Sequence, residues 1–219
     1  MIRAILFDMD GVLVDSEPAH AAATNDALRQ LGLPEVDAAG YERAFFGRPD
    51  HESFAAYFAR IGQPANRLDD ALHLKQEAFA RRFLAEVRPF EDGIEALREA
   101  HARGYLVAVV TGARRSELLL VLERFSLGEL VDTALSADDV ERGKPDPLPY
   151  LMAAQRLGID PDACLVVEDT PAGVEAARAA GMTCLAVDRL GRPERLDGAS
   201  LIVPALDCAA IASLLERHS

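Results

Sequence analysis

The chain has 219 residues, of which half are hydrophobic, and its 36 acidic and 23 basic side chains give a formal charge of −13. Such a composition predicts a globular protein with one large domain or a domain carrying an insertion. The acidic balance argues against nucleic acid or an anionic membrane as the partner, because both need clustered cations. No apolar run approaches the roughly 20 residues of a membrane-spanning helix.

The cysteines and the N-terminal segment predict a cytoplasmic protein. Cys164, Cys184 and Cys208 are odd in number and lie in or beside apolar runs, as reduced thiols do. The first residues turn acidic where the cleavage site of a signal peptide would need small residues. No spacing of Cys and His indicates a zinc site.

Five apolar runs predict β-strands. In chain order they are 4–8, 105–112, 163–169, 182–188 and a weaker run at 201–204. These runs are hydrophobic throughout rather than alternating, which is typical of strands covered on both faces.

Helical patterns occupy the segments between most of these runs, among them 93–103, 118–125 and 171–180. Asp146-Pro147 and Thr170-Pro171 each predict an N-cap followed by proline at the first helical position, and Gly181 fits a helix stop. Strands that alternate with helices predict an α/β fold, a Rossmann-like, doubly wound parallel sheet.

Residues 15–86 interrupt this alternation. Their periodicity predicts helices only, at 16–31, 37–46, 50–61 and 69–86. We therefore expect an α-helical cap domain at 15–86, inserted into a discontinuous core of 1–14 and 87–219.

Polar residues follow three of the predicted strands. Asp8, Thr111 and the pair Glu168-Asp169 stand at strand ends, and Lys144 lies in the loop ERGKPDP. In open parallel sheets the ligand crevice lies beyond the carboxyl ends of the strands. The sequence thus predicts one site with carboxylates, a hydroxyl and an ammonium.

These residue types suit phosphoryl transfer with Mg²⁺. Carboxylates bind a phosphate only through a hard cation, and Lys144 and Thr111 can hold the remaining phosphate oxygens. Asp8 and Asp10 are two apart on an extended chain, so their side chains point the same way. Asp8 can attack phosphorus to form an aspartyl phosphate, while Asp10 exchanges protons with the leaving oxygen and with water.

Each of these residues also has a plainer interpretation. Asp10 before a glycine is a turn signal, and Lys144 could be a solvated loop lysine. Glu168 and Asp169 suit the N-terminus of the helix that follows them, and Thr111 suits a strand.

The stretches FDMDGVLVDSEPAH, VVTG, GKPDP and VVEDTPAGVEAARAAGM resemble the four ordered motifs of the haloacid dehalogenase-like (HAD) hydrolases. The resemblance spans nearly the whole chain. It is to the branch with a helical cap after the first strand, which holds beta-phosphoglucomutase and many sugar-phosphate phosphatases. It implies Asp8 as the nucleophile and Asp10 as the general acid and base. Thr111 and Lys144 would stabilise the phosphate and the intermediate.

The same resemblance implies a Mg²⁺ cofactor. Its ligands would be Asp8, Asp169 and the backbone carbonyl of Asp10, with Glu168 as a further candidate at or beside the ion. Dehalogenases of the superfamily lack the second aspartate of the first motif, so Asp10 favours phosphate chemistry.

Other substrate contacts are expected from Gly112, the last residue of the run at 105–112, and from Arg114 beyond it. The cap offers further candidates, Glu17, His20, Gly47 and Arg48. His20 stands where mutase-like relatives carry a substrate-facing histidine, although it could also be a surface helix residue. Arg48 and Arg114 could equally face solvent.

The cap favours a phosphatase over a mutase. In the beta-phosphoglucomutases that the chain resembles, a basic residue precedes the cap glycine and an arginine follows three places after it. Here Phe46 precedes Gly47, and Asp50 stands three places after it. The only arginine beside this glycine is Arg48, directly after Gly47. We therefore expect hydrolysis of a small phosphorylated metabolite, a sugar or polyol phosphate, by a monomer whose cap opens and closes.

A phospho-acceptor signalling domain is the alternative from another class. Receiver domains also combine acidic residues, a threonine, a lysine and Mg²⁺ at a parallel sheet. They are about half this length, lack a helical cap and carry the acceptor aspartate on a middle strand. The position of Asp8 and the block 15–86 therefore argue against this alternative.

Overall fold

The structure, a computed structural model, describes residues 1–207 and residue 211. It divides into two compact units. The sheet unit comprises Met1–Asp15 with Pro89–Ser219, and the helical unit is Ser16–Arg88. Cys208, one of the three predicted thiols, lies outside the described residues. Cys164 and Cys184 are buried and unpaired with each other.

The strands in chain order are β1 Ala4–Phe7, β2 Val14–Asp15, β3 Arg88–Pro89, β4 Leu106–Val110, β5 Thr133–Leu135, β6 Cys164–Glu168, β7 Thr183–Val187 and β8 Leu201–Val203. Six of them form one sheet in the order β5-β4-β1-β6-β7-β8. Every neighbouring pair in it is parallel, as predicted for this fold.

The helices are α1 Glu17–Gln30, α2 Ala38–Ala44, α3 Asp50–Arg60, α4 Leu68–Glu86, α5 Glu91–Ala102, α6 Arg115–Arg124, α7 Leu148–Leu157 and α8 Pro171–Ala179. The first four belong to the helical unit and the last four to the sheet unit. Short 3₁₀ turns occur at Ala65–Arg67, Gly128–Leu130, Ala137–Asp139, Pro161–Ala163 and Pro193–Leu196. No helix of the described chain has the length and hydropathy to cross a membrane.

The central position of β1 determines where the site lies. Phe7 is level with Val109 of β4 on one side and with Val167 of β6 on the other. All four β1 side chains are fully buried because the strand is covered on both faces. The residues that follow β1, β4 and β6 therefore emerge next to one another at one edge of the sheet.

Three short strands, β2, β3 and β5, and the N-cap of one helix differ from the sequence prediction. The three-residue strand β5 was not predicted, because Thr-Ala-Leu is too short to stand out as an apolar run. Helix α7 begins at Leu148 with Pro147 as its N-cap. Asp146 lies one residue further out and accepts a hydrogen bond from the Leu148 amide at 2.9 Å. The prediction of Asp146 as the N-cap was therefore wrong by one residue.

The boundaries of α8 follow the sequence. Thr170 is the N-cap and its hydroxyl oxygen accepts from the Gly173 amide at 3.0 Å, as predicted, with Pro171 as the first helical residue. Gly181 follows the helix with a positive φ of 72°, the conformation that ends helices at glycine.

Each unit has its own hydrophobic core. In the sheet unit, β1, β4 and β6 pack against α7 and α8 through side chains such as Leu6, Val110, Tyr150, Val166 and Val174. In the helical unit the core is rich in aromatic residues, namely Phe45, Phe54, Tyr57 and Phe58 around Leu28 of α1. Separate cores are what two independently packed units require.

Candidate active site

Four of the predicted site residues meet at the carboxyl end of the central strands. Asp8 directly follows β1, and its amide donates to the Val167 carbonyl of β6 at 2.9 Å. Thr111 directly follows β4, Glu168 ends β6, and Asp169 comes next. Asp8, Thr111 and Glu168 are buried. The sheet order alone therefore brings together residues more than 150 positions apart in the chain.

Lys144 joins this group from the loop before α7. Its ammonium donates to Asp8 Oδ1 at 2.6 Å, to Glu168 Oε1 at 2.6 Å and to the Val110 carbonyl at 2.9 Å. Burial alone would lower the pKa of Lys144, but the Asp8 and Glu168 carboxylates outweigh it and raise the pKa above its usual value. Lys144 is thus a fixed, fully charged ammonium at the end of β1.

Glu168 is the most enclosed carboxylate of the site. Oε1 accepts from Lys144 and, at 2.7 Å, from the Tyr150 hydroxyl, while Oε2 accepts from the Asp169 amide and from the amide and hydroxyl of Thr170. Burial alone would raise the pKa of Glu168, but Lys144 and then these hydrogen bonds hold it below its ordinary value. Both oxygens are therefore occupied by protein donors, which makes Glu168 an anchor for Lys144.

Asp8 and Asp169 have the opposite electrostatic character. Burial raises the pKa of Asp8 to about 8, and the carboxylates of Glu168 and Asp10 add to this effect while Lys144 opposes it. Burial, followed by repulsion from Glu168 and Asp8, raises the pKa of Asp169 well above its usual range. Such a concentration of negative charge is unfavourable unless a further cation is bound.

Asp169 is confined by the loop after Asp10. Gly11 has a φ of +80°, and a β-carbon at this position would come within 1.9 Å of Asp169 Oδ2. Among the described side chains, the buried Oδ1 atom of Asp169 has no hydrogen-bond partner. Asp8, Glu168 and Asp169 each offer a carboxylate oxygen within 4.8 Å of the others. An orphaned carboxylate oxygen in an all-oxygen donor set fits a hard divalent cation.

Asp10 and Thr111 face each other across the same edge. The Thr111 hydroxyl donates to Asp10 Oδ2 at 3.3 Å and accepts from the Ala113 amide at 2.9 Å. Gly112 has open space where a β-carbon would lie, and Arg114 is the exposed N-cap residue of α6. Thr111 and Gly112 therefore belong to the turn at the site. Arg114 lies at the exposed start of α6.

The four predicted substrate contacts of residues 15–86 lie in the helical unit. Glu17 Oε2 accepts from the Tyr41 hydroxyl at 2.8 Å, and His20 stacks on Phe79 at 4.0 Å between ring centroids. Gly47 and Arg48 are exposed in the turn between α2 and α3. Glu17 and His20 are therefore engaged within this unit.

His20 also contacts a buried lysine that sequence reasoning did not find. The Lys75 ammonium lies 2.7 Å from His20 Nδ1 and donates to Asp50 Oδ2 at 2.7 Å. Burial, and then the Lys75 charge, lowers the pKa of His20 well below its usual value, so the ring is neutral. Lys75 stands in α4 between Leu74 and Gln76, and nothing in this local sequence distinguishes it from a surface lysine.

Tyr150 was missed for a different reason. It lies in the helical stretch LPYLMAAQRL, where an aromatic residue on the apolar face is expected in the core. It is indeed fully buried, but its hydroxyl donates to Glu168 and its ring lies 4.9 Å from the Lys144 ammonium. Only the tertiary structure reveals this contact.

Comparison with known proteins agrees with the geometry. Residues 5–187 match the family described as haloacid dehalogenase-like hydrolase. This chain belongs to that family. It is therefore a hydrolase, and its named relatives place it in the phosphatase branch, as the sequence motifs predicted.

Two relatives illustrate this branch. The chain is 32% identical over 207 residues to validoxylamine A 7'-phosphate phosphatase of Streptomyces hygroscopicus subsp. limoneus, covering 94% of this chain and 95% of the relative. It is 34% identical over 191 residues to the fructose-1-phosphate phosphatase YqaB of Escherichia coli, covering 84% of this chain and 95% of the relative.

A similar solved structure is CbbY of Rhodobacter sphaeroides in complex with phosphate. It has 26% sequence identity and a TM-score of 0.84, and the alignment covers 97% of this HAD hydrolase and all of CbbY. A variant of CbbY in complex with xylulose-1,5-bisphosphate aligns with a TM-score of 0.82, also at 26% identity, over 94% of this chain and 95% of the other.

Proposed function

We propose that this HAD hydrolase is a Mg²⁺-dependent phosphatase of a small sugar or polyol phosphate, acting through an aspartyl phosphate on Asp8. The observation that carries the proposal is the ammonium of Lys144, 2.6 Å from both Asp8 and Glu168 at the buried end of β1. A fixed cation beside the nucleophile stabilises the charge that phosphoryl transfer places there. The relatives named above as phosphatases of sugar-like phosphates support the substrate class.

The donor set supports Mg²⁺ as the cofactor. We assign the ion to carboxylate oxygens of Asp8 and Asp169 and to the backbone carbonyl of Asp10. Glu168, whose oxygens are occupied by protein donors, would orient the others. When bound, Mg²⁺ would neutralise the carboxylates and allow a phosphate dianion to approach them.

The protein residues then account for two displacements at phosphorus. A carboxylate oxygen of Asp8 attacks phosphorus, the bond to the ester oxygen breaks, and Asp10 gives its proton to that oxygen to release the alcohol. Asp10 next takes a proton from water, which attacks the phosphorus of the aspartyl phosphate. Inorganic phosphate leaves and the Asp8 carboxylate is restored. Lys144, Thr111 and the Gly112 amide hold the phosphoryl oxygens.

We propose that the helical unit, residues 15–86 by sequence, is a cap that restricts the site to small substrates. Glu17, His20, Gly47 and Arg48 are the cap residues that we assign to the substrate, with Arg114 of the sheet unit. Neutral His20 would act as a hydrogen-bond partner rather than as a cation. The exposed Arg48 is the cationic candidate for a distal polar group of the substrate.

A phosphosugar mutase is the second candidate, since such an enzyme keeps the aspartyl phosphate until a sugar bisphosphate has turned over. It needs a cationic grip on a second phosphate. At position 50 the chain carries an aspartate, whose carboxylate accepts from Lys75. This contact offers no grip for an anion and favours hydrolysis. A receiver-type signalling domain is disfavoured by membership of a hydrolase family.

The decisive experiment is a panel of phosphate monoesters assayed for inorganic phosphate with Mg²⁺ and with a chelator. Release that depends on Mg²⁺ and is absent from Asp8→Asn supports the proposal. Asp162→Asn, a change at an exposed carboxylate of the sheet unit, is the matched control and keeps full activity. Turnover by Asp8→Asn at the wild-type rate would exclude the covalent mechanism. Conversion of beta-glucose 1-phosphate to glucose 6-phosphate without net phosphate release would indicate the mutase.

We also propose that the protein is a cytoplasmic monomer that acts on a small metabolite and does not bind nucleic acid. The unpaired thiols of Cys164 and Cys184 support a reducing compartment. The net charge of −13 disfavours nucleic acid. Light scattering of the purified protein tests the monomer, which predicts a mass near 23.7 kDa.

A further inference from the structure

Backbone hydrogen bonds shape the loop after β1, which carries Asp10. The Gly11 amide donates to the Val14 carbonyl at 2.9 Å, and the amides of Leu13 and Val14 donate to the Met9 carbonyl at 2.8 and 3.0 Å. None of these three bonds involves the Gly11 carbonyl, which belongs to the peptide between Gly11 and Val12. The direction of the Asp10 side chain depends on the conformation of Gly11, because the peptide that joins Asp10 to Gly11 directly precedes this carbonyl.

Arg189 binds this carbonyl. It lies two residues beyond β7, and its Nε donates to the Gly11 carbonyl at 3.1 Å. Its two terminal nitrogens donate to the two oxygens of Asp92 at 2.8 and 2.9 Å, and its guanidinium lies 4.0 Å from the ring centre of Phe90. The Arg189 side chain is only 17% exposed. A bidentate, stacked guanidinium has a single well-defined orientation.

Asp92 is itself fixed in place. It lies in the first turn of α5 and also accepts from the amides of Gly93 and Leu206, at 2.9 and 2.8 Å. Burial alone would raise the pKa of Asp92, but the Arg189 bonds and these amides keep it below its usual value, which favours the ionised carboxylate. The start of α5 also abuts the loop, because a β-carbon at Gly93 would meet the Val12 carbonyl at 1.9 Å.

We propose that Arg189 is a positioning residue for the general acid and base. It ties the Gly11 carbonyl to the N-terminus of α5, which fixes the residue next to Asp10 and so holds Asp10 in the direction from which it protonates the leaving oxygen. This inference rests on the proposed function, since it assumes that Asp10 transfers protons during phosphate ester cleavage.

A purely structural role predicts a different result. If Arg189 only stabilises the sheet unit, its loss lowers the fraction of folded enzyme and reduces the turnover of every substrate equally. If it positions Asp10, the loss depends on the leaving group. An alkoxide needs a proton as it departs, whereas p-nitrophenolate, a much weaker base, departs without one.

The test measures kcat/KM for Arg189→Gln on the best sugar phosphate of the panel and on p-nitrophenyl phosphate, with Mg²⁺ present. This parameter covers the steps up to the formation of the aspartyl phosphate, in which the leaving group departs. We expect a loss of about 100-fold for the sugar phosphate, the typical effect of a displacement near 1 Å at the chemistry. The loss for p-nitrophenyl phosphate should be at least ten times smaller, about tenfold or less, because its leaving group needs no proton.

Arg156→Gln is the matched control. Arg156 likewise donates to a backbone carbonyl, that of Ala134, and to a carboxylate, that of Asp139, in the same unit. Replacing Arg156 removes a bond to a backbone carbonyl and a bond to a carboxylate, as replacing Arg189 does, but away from the loop that carries Asp10. We expect kcat/KM to change by no more than twofold for either substrate. Thermal unfolding of both variants shows that the enzyme assayed is folded.

Equal losses on the two substrates, or no loss, in a folded Arg189→Gln would overturn the inference. If that variant does not fold, Arg189→Lys is used, because lysine keeps the charge and the apolar stem but cannot bind Gly11 and both Asp92 oxygens together. Its two losses are compared in the same way. Failure of the proposed function looks different, since the wild-type enzyme itself would then release no phosphate from any monoester.

Discussion

The α-carbon of Gly173 lies so close to the Glu168 carboxylate that a β-carbon at position 173 would come within 1.8 Å of Glu168 Cδ. Gly173 is the third residue of α8, where alanine would otherwise be preferred by about 1 kcal/mol. The absence of a side chain lets the start of α8 approach the end of β6. Glycine at this position is thus required by the site rather than by the helix.

Gly173→Ala should therefore destabilise the protein and impair catalysis. The new methyl group forces Glu168, and with it Lys144, away from Asp8, at a cost of about 1–3 kcal/mol for overpacking. Denaturant unfolding and phosphate release measure the two effects. Gly128→Ala is the control, since no atom lies within 4 Å of a β-carbon there and its backbone needs no glycine. Unchanged activity in a folded Gly173→Ala would contradict the role of Glu168 as an anchor.

Tyr150→Phe removes the hydroxyl that donates to Glu168 Oε1 at 2.7 Å. A hydrogen bond to a buried charged group contributes about 1.5–3 kcal/mol, so we expect the free energy of unfolding to fall by about 2 kcal/mol. We expect kcat to fall severalfold with KM little changed, because Lys144 loses part of its anchor. Tyr57→Phe loses a bond to the Pro34 carbonyl instead and should cost about 1 kcal/mol without changing kcat.

Binding of Mg²⁺ should stabilise the protein more at high pH than at low pH. The pKa of Asp8 is raised to about 8 and that of Asp169 is also raised, so in the metal-free folded state both carboxylates keep their protons to a higher pH than in the unfolded chain. Without metal, the stability that this protonation provides is complete below pH 4 and is lost as the pH rises toward 8. Metal binding displaces those protons and therefore becomes stronger over the same range.

Thermal unfolding with and without Mg²⁺ at pH 6 and pH 8 checks this prediction. The shift in Tm on adding Mg²⁺ should be larger at pH 8, and Asp169→Asn should abolish most of it. Titration of His20 affects both conditions equally and cancels in the difference. A shift of the same size at both pH values would contradict the raised pKa values of these carboxylates.

Asp139 should make the protein sensitive to acid. Burial alone would raise the pKa of Asp139, but the hydroxyl and amide of Ser136, Arg156 and Arg115 outweigh it and hold the pKa far below its usual range. The lowered pKa stabilises the folded state at every pH above about 4, which is the pKa of this carboxyl in the unfolded chain. The stabilisation is lost as the pH falls below that value.

Asp139→Asn should accordingly lower the free energy of unfolding at pH 7 by about 2 kcal/mol, the contribution of charged hydrogen bonds to a side chain that is only 6% exposed. The difference between variant and wild type should shrink at pH 3. Urea unfolding at the two pH values measures it. Asp162→Asn, at an exposed position, should show no difference at either pH.

The fold was largely predictable because its signals are local. Continuous apolar runs gave β1, β4, β6, β7 and β8, and their alternation with helices gave the parallel sheet. The short strand β5 carries no such run, because its pairing with β4 and not its own three residues makes it a strand. The start of α7 shifted by one residue because Pro147, which makes no side-chain capping bond, occupies the N-cap, while Asp146 one residue before it accepts from the Leu148 amide.

By itself the sequence determined which residues stand at the strand ends. Each strand-end residue of the site, namely Asp8, Thr111, Glu168 and Asp169, closes or follows an apolar run. Because the strands are parallel neighbours, the residues at their carboxyl ends lie side by side at one edge of the sheet. The tertiary structure alone decided how these groups are held. Tyr150, Gly173 and Arg189 support the site through contacts between segments distant in the chain, and no local pattern distinguishes them from a core tyrosine, a helix glycine or a surface arginine. Hydrogen bonds and close approaches depend on distances that only the packed chain defines.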